Sequence, residues 1–315
     1  MQVFGKRTVF AAINTLLLLA LPGTALAAAE EPHVADIERR VMTTRAELLA
    51  HGGANGAPLA EKDCVFVSFW DFDGTILAGD CSEGYSIDGK VIYTGLFEEC
   101  VRGGFGDVYP ATPAGFTKAM ADYRRMDDEI GSWLAYPFMV QALKSSKESD
   151  VVALAGRHFE AVQKPYVFSS SLAMMQSFES SGVRVHIISA SADAFLKGIA
   201  PKLGWDASRA RGIRTRIVDG KLTEKIEYPI TYADGKTEAI LDEVSKIKLQ
   251  NPGKQVFILA GFGNSYSTDG PFLKYIVRQK LPAGAAVSVM VNGGPAKAGY
   301  EGVFTCVDQN AVIGK

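Results

Sequence analysis

Cys64-Val65-Phe66-Val67-Ser68-Phe69-Trp70-Asp71-Phe72-Asp73-Gly74-Thr75 is a short apolar run that ends on two acids. A short continuous apolar run suits a strand buried on both faces. Comparable runs recur at Val183 to Ile188, Gln255 to Ala260 and Val287 to Val291. Helical patterns separate them, at Ser171 to Ser180, Ala192 to Leu203 and Thr237 to Ile247. Strands alternating with helices predict an α/β fold built on a doubly wound parallel, Rossmann-like sheet. Ligands of such sheets bind beyond the carboxyl ends of the strands, where Asp71 and Asp73 fall.

Residues 80 to 165 interrupt this rhythm and read as an all-helical insertion, a cap over the first strand. Ala114 to Leu143 looks helical, with Phe116, Met120, Tyr123, Trp133 and Phe138 as apolar points, and Asp150 to Val162 follows, closed by Pro165. The core is then expected from 28–79 and 166–315. Val34, Ile37, Val41 and Leu48 recur at helical spacing and predict a helix from Ala35 to His51 lying on the domain. Asp219-Gly220 between Ile213 to Val218 and Leu222 to Ile226 signals a hairpin with a type I′ turn.

The first residues read as a targeting segment rather than as fold. Lys6 and Arg7 precede an apolar stretch from Thr8 to Leu21, and Thr24-Ala25-Leu26-Ala27 offers an A-x-A cleavage site. That pattern predicts a signal peptide over 1–27, cut after Ala27, and a secreted or periplasmic protein with no stable membrane association afterwards. Export makes disulfides the expected state of Cys64, Cys81, Cys100 and Cys306, which lack the C-x-x-C spacing of a zinc site. Three connectivities are open, and 81–100 with 64–306 is the pairing expected. The chain of 315 residues is 47% hydrophobic and 22% charged, with a net charge of −2. It has no basic run, which argues against a nucleic-acid partner. His33, His51, His158 and His186 do not cluster, and His186 reads as a core residue of an apolar strand.

Two acids two residues apart, on a loop leaving a strand, can face one cleft. One can attack phosphorus while the other exchanges a proton with the leaving group. Gly74 allows the backbone to turn beside a ligand. Asp-x-Asp-Gly also occurs in calcium loops, but the later ligands of an EF-hand are absent. Asp71-Phe72-Asp73-Gly74-Thr75 resembles the first motif of the haloacid dehalogenase superfamily. Three further motifs resemble that family's in order: Val185 to Ser189, Lys236 after Asp234-Gly235, and Phe257 to Ser265 with Asp269. The resemblance spans about residues 60 to 295.

The resemblance implies a phosphatase in which Asp71 is the nucleophile, forming an aspartyl-phosphate, and Asp73 the acid and base. Thr75, Ser189 and Lys236 would hold the phosphate. Mg2+ would be bound by the Asp71 carboxylate, the Asp73 carbonyl and the fourth motif, where Asn264 and Asp269, five residues apart, replace the usual pair of acids. The acid at Asp73 separates this chain from the dehalogenases and ion pumps of the superfamily. The insertion, Ser189-Ala190-Ser191 and Tyr228-Pro229 resemble the phosphoserine phosphatase-like branch, in which Asp80, with Glu83 beside it, stands where the substrate amine is gripped. The spacing of the fourth motif is similar to that of secreted phosphorylcholine phosphatases. A small-molecule phosphomonoester, phosphoserine- or phosphocholine-like, is the implied substrate. Trp133, Tyr136, Tyr123 and Phe138 are candidates for an aromatic box, though helical spacing favours cap core. A phosphotransferase or phosphomutase using the same intermediate, or a ligand-binding protein that kept only the fold, are the alternatives.

Overall fold

The computed structural model describes residues 32–314; the predicted signal peptide and its cleavage site lie outside the described residues. In chain order the strands are β1 (Cys64–Trp70), β2 (Gly84–Ile87), β3 (Lys90–Thr94), β4 (Val183–Ala192), β5 (Ala210–Val218), β6 (Lys221–Glu227), β7 (Gln255–Gly263), β8 (Val287–Val291) and β9 (Thr305–Val307). The helices are α1 (Pro32–His51), α2 (Leu96–Arg102), α3 (Pro113–Glu129), α4 (Ser132–Gln141), α5 (Glu148–His158), α6 (Ser169–Ser180), α7 (Asp193–Ile199), α8 (Asp234–Gln250) and α9 (Gly270–Val277). Among the described residues no helix is long and apolar enough to cross a membrane.

The main sheet has the order β6-β5-β4-β1-β7-β8-β9 and is parallel except at β6. β1 is central, and all seven of its residues are buried. The two-residue period of a strand explains its unbroken apolar run. Val65, Val67 and Phe69 enter the core shared with α8 and α9, whereas Phe66 and Trp70 enter the one shared with α1 and α6. Val34, Ile37, Val41 and Leu48 are the buried face of α1, as their spacing predicts. β5 and β6 form the expected hairpin, with Asp219 at φ 50° and Gly220 at φ 74° in its two-residue turn.

The insertion is not all helical. It opens with an antiparallel hairpin, β2 and β3, turning at Asp88-Gly89. This is the same turn signal as Asp219-Gly220, but the flanking strands are short and mostly exposed, so they carry no alternating pattern. The predicted single helix from 114 to 143 is two helices. They break at Gly131, whose φ of +117° no L side chain adopts readily. Phe97, Val101, Ala119, Tyr123, Ala135 and Met139 give α2 to α4 a core of their own. Helix α5 packs instead on α7, and Val151 and Ala155 join the main core.

The predicted disulfides are absent: all four cysteines are unpaired thiols. Cys64 lies on β1 and Cys306 on β9, three strands away. At roughly 4.8 Å per strand that separates them by about 14 Å, twice the ~7 Å Cα limit for a bridge. Cys81 and Cys100 both lie in the main core as free thiols, and Cys81 Sγ is 3.4 Å from Ser191 Oγ.

His186 on β4 is a core residue, 5.4 Å from the ring of Phe69, but neither ring nitrogen has a hydrogen-bond partner. Burial, then the charges of Arg209 and Arg184, pull its pKa down to about 3. The unfolded value is about 6.5, so unfolding takes up a proton as pH falls from there toward 3, and stability is lost in that window. His186→Leu is therefore expected to lose less thermal stability than the parent between pH 7 and pH 4. Parallel melting curves in that range check this, and equal losses would place the acid sensitivity elsewhere.

Candidate active site

The chain leaves the sheet at Trp70, and the Asp71 N–H donates to the Phe262 carbonyl at 2.8 Å, extending the pairing with β7 by one rung. The Asp71 side chain is thereby held rigidly at the carboxyl end of β1, almost wholly buried. Lys236 Nζ, from the first turn of α8, donates to Asp71 Oδ1 at 2.5 Å, and the Thr75 hydroxyl to Oδ2 at 3.3 Å. Gly74 turns the loop at φ +72°, where a Cβ would collide with the Asn264 side chain.

Asp73 points to the other side of the same cleft. Its Oδ1 accepts from the Cys81 N–H at 2.7 Å, and its Oδ2 from Ser191 Oγ at 2.6 Å and Ser189 Oγ at 3.3 Å. Burial raises its pKa, and these bonds only partly offset that. Ser189 and Ser191 stand two apart at the end of β4, so both reach the same face of the strand. Ser189 was predicted at this site; Ser191 and the Cys81 N–H were not. The period-2 rule applied to Ser189-Ala190-Ser191 would have found the first.

The fourth-motif residues separate. Asp269 is fully buried: its Oδ1 accepts from Lys236 Nζ at 2.5 Å and its Oδ2 from the N–H groups of Asn264 and Ser265 at 2.9 and 3.0 Å. It braces the loop after β7 and does not line the cleft, whereas Asn264 does. Thr75 is likewise fully buried and bonded to Asp71, which puts it behind that carboxylate rather than in the cleft.

Asp80 and Glu83 line the cleft on the insertion's side. Asp80 Oδ1 accepts from the N–H groups of Ser82 and Glu83 at 2.7 and 2.8 Å, closing a turn. Glu83 Oε1 accepts from the Tyr123 hydroxyl at 2.7 Å. Burial, then the charges of Asp73 and Glu83, hold the Asp80 carboxyl well above the usual range. The aromatic box does not assemble: Tyr123 is buried in the core of α2 to α4, Phe138 packs against that core, and Trp133 is 55% exposed. Tyr136 alone of the four faces the cleft, with Met139, Val140 and Phe195.

The cleft encloses about 250 Å³, at the small end of ligand sites. Asp71, Asp73, Asp80 and Glu83 line it, and no Lys, Arg or His does among the described residues. Burial, then the charges of Asp269 and Asp73, push Asp71 up to about 8 against the pull of Lys236. Burial works against the Lys236 ammonium, but the charges of Asp269 and Asp71 outweigh it and keep it protonated. One cation thus serves two carboxylates, and Asp71 is left short of positive charge. Asp71, Asp73 and Asn264 line one cleft and carry hard oxygen donors of the kind Mg2+ takes. Asp73, Asp80 and Cys81 also bring ligand atoms within 4.8 Å of one another. Burial, then the Asp73 charge, holds the Cys81 thiol well above its usual range, so that group lacks a thiolate.

Residues 68–274 match the family model of the haloacid dehalogenase-like hydrolases. No curated protein matches the chain. A solved structure from Bordetella pertussis Tohama I, of a protein with unknown function, is similar at TM-score 0.57 and 14% identity, over 78% of this chain and 99% of that one. A conserved, functionally unknown protein from Anaerococcus prevotii is similar at TM-score 0.53 and 14% identity, over 84% and 90%. A substrate-bound phosphoserine phosphatase aligns at TM-score 0.44 and 17% identity, over 77% and 92%. Identities this low speak to the fold alone.

The crowding of carboxylates around Asp71 has a thermodynamic signature. Its folded pKa of about 8 lies above the unfolded value of about 4, so the folded state binds the extra proton and loses stability as pH rises through that interval. With divalent cations chelated, Asp71→Asn is expected to melt higher than the parent at pH 8 and close to it at pH 4. Thermal melts across that range test this, and identical pH slopes for the two proteins would refute it.

Proposed function

Because the chain belongs to the haloacid dehalogenase-like hydrolases, we propose that it is a phosphomonoesterase working through an aspartyl-phosphate on Asp71. The observation that carries this reading is the contrast between two acids in one cleft. Asp71 faces the Lys236 ammonium, while Asp73 faces neutral donors, a backbone N–H and two hydroxyls. Two environments for one residue type support reading one acid as the nucleophile and the other as the proton carrier.

In the first step Asp71 attacks phosphorus as the bond to the alcohol oxygen breaks, and Asp73 gives that oxygen its proton. In the second, water attacks phosphorus and yields a proton to Asp73. The bond to Asp71 then breaks, releasing inorganic phosphate and restoring both groups. Ser189 is the hydroxyl placed to hold a phosphate oxygen, and Lys236 keeps a positive charge behind the carboxylate that attacks. Thr75 orients Asp71. Asp71, the Asp73 carbonyl and Asn264 would hold Mg2+, which supplies the charge that lets Asp71 ionise beside a phosphate.

The cleft also bears on the substrate. Asp80 and Glu83 favour a cation on the alcohol part, and Tyr136, Met139 and Phe195 supply an apolar wall with one aromatic face. A carboxylate there would find no basic partner. A phosphocholine-like ester therefore suits this site better than phosphoserine. Export after cleavage at Ala27 remains part of the proposal and rests on the leader pattern alone.

Phosphate release in the presence of Mg2+, across phosphocholine, phosphoethanolamine, phosphoserine and glycerol phosphate, is expected to favour the first two. Asp71→Asn should lower each by more than about 10³-fold, since an amide does not replace a carboxylate nucleophile. Substantial turnover by that variant would remove Asp71 from its role, and a preference for phosphoserine would reject the substrate class alone. Asn264→Asp should tighten Mg2+ binding measured by calorimetry, because it adds a charge to the donor set. Unchanged affinity would place Asn264 outside it.

A further inference from the structure

Gln163 is a fully buried amide that the reaction as described does not use. It ends a π-helical turn, Phe159–Gln163, which continues α5. Such turns insert an extra residue into a helix and re-aim the side chains at its end. Because α5 is docked on α7, the Gln163 amide is presented from a fixed part of the core. Its Nε2 donates to the Cys81 carbonyl at 3.0 Å and reaches the Thr94 carbonyl at 3.4 Å.

Cys81 and Thr94 flank the β2–β3 hairpin, so one amide clasps both ends of the excursion that leaves the catalytic loop. Both partners are carbonyls, and the two hydrogens of one uncharged amide NH2 can serve both. The Gln163 Oε1 has no partner in its buried position. An unpaired buried oxygen is costly, so the residue is there for its nitrogen. Cys81 in turn donates its own N–H to Asp73 Oδ1 at 2.7 Å. Fixing the carbonyl of Cys81 limits that residue's backbone angles and hence the aim of its N–H.

We propose that Gln163 is a positioning residue for proton delivery by Asp73, acting through the backbone of Cys81. The proposal rests on the reading of Asp73 as the proton carrier. The bland alternative is that the Leu96 N–H, which also donates to the Cys81 carbonyl at 2.8 Å, holds this residue unaided. A loosened Asp73 hinders a leaving group in proportion to that group's need for a proton. A purely structural defect lowers all substrates alike.

The experiment compares kcat/KM for p-nitrophenyl phosphate, phenyl phosphate and phosphocholine, whose departing oxygens need a proton increasingly in that order. It uses the full protein with Mg2+ and the variants Gln163→Met and Asp73→Asn. For Asp73→Asn the loss should grow along the series, by roughly 10²-fold or more from first to last. For Gln163→Met it should grow in the same order, by roughly tenfold. Equal losses on all three substrates, or none, would overturn the role of Gln163 while a graded Asp73→Asn series leaves the reading of Asp73 intact. A flat Asp73→Asn series would remove that reading and the proposal with it. Should Gln163→Met not fold, Gln163→Glu carries the same comparison. It keeps the size and, as the neutral acid, one donor, and a graded loss is again the supporting result.

Discussion

Lys236 Nζ stands 2.5 Å from a carboxylate oxygen of Asp71 and 2.5 Å from one of Asp269, with no part of the side chain exposed. A buried ammonium is tolerated only with charged partners that satisfy its hydrogen bonds. Those partners arrive from β1 and from the loop after β7, while the lysine comes from α8. Three elements far apart in sequence are thus tied at one atom, at the carboxyl edge of the sheet. Asp269 extends the tie by taking the N–H groups of Asn264 and Ser265 on its other oxygen, which sets Asn264 over Gly74. The cleft is arranged around this buried charge, and Asp71 is one of its two counter-ions.

That arrangement divides labour between identical residue types. Asp71 and Asp73 are separated by one residue, yet only the first shares the lysine. The second meets hydroxyls and a backbone N–H, which can bond either protonation state but do not stabilise the anion as a cation does. The excess of carboxylates over ammonium groups is electrostatically unfavourable and, with burial, raises the Asp71 pKa; positive charge brought into the cleft would relieve it. Binding sites that keep such a deficit sacrifice some stability for affinity.

Much of this was legible in the sequence. A buried parallel strand shows as an unbroken apolar run, and the acids that end it fall where α/β sheets bind ligands. Ser189 and Lys236 were named from the family resemblance; the first lines the cleft, and the second stands buried behind Asp71. Other features depend on contacts that no local pattern encodes. Thr75 belongs to the D-x-D-G-T motif, but the turn at Gly74 swings it behind Asp71. Asn264 and Asp269 look alike on paper, and only packing separates the cleft residue from the buried brace. The cysteines suggested bridges because export was inferred first; strand order then keeps Cys64 and Cys306 apart. Gln163 gives no local signal, since it acts on Cys81 across 82 positions.

The insertion contributes chemistry as well as cover. Its two crossings from the core are Cys81, which donates to Asp73, and the segment ending at Gln163, which holds Cys81. Asp80 beside the first crossing, and Glu83, Tyr136 and Met139 between the two, line the insertion's side of the cleft. Glu83 is bonded to Tyr123 of α3, and Tyr136 meets Tyr232 of the core edge-on at 5.5 Å. A shift of α3 and α4 relative to the sheet must therefore move Glu83 and Tyr136, whereas Asp71 and Asp73 are fixed by strand ends and by the clasped crossing. Sequence change on α3 and α4 can thus reshape that side of the cleft while the bonds that hold Asp71 and Asp73, including those from Cys81, stay in place.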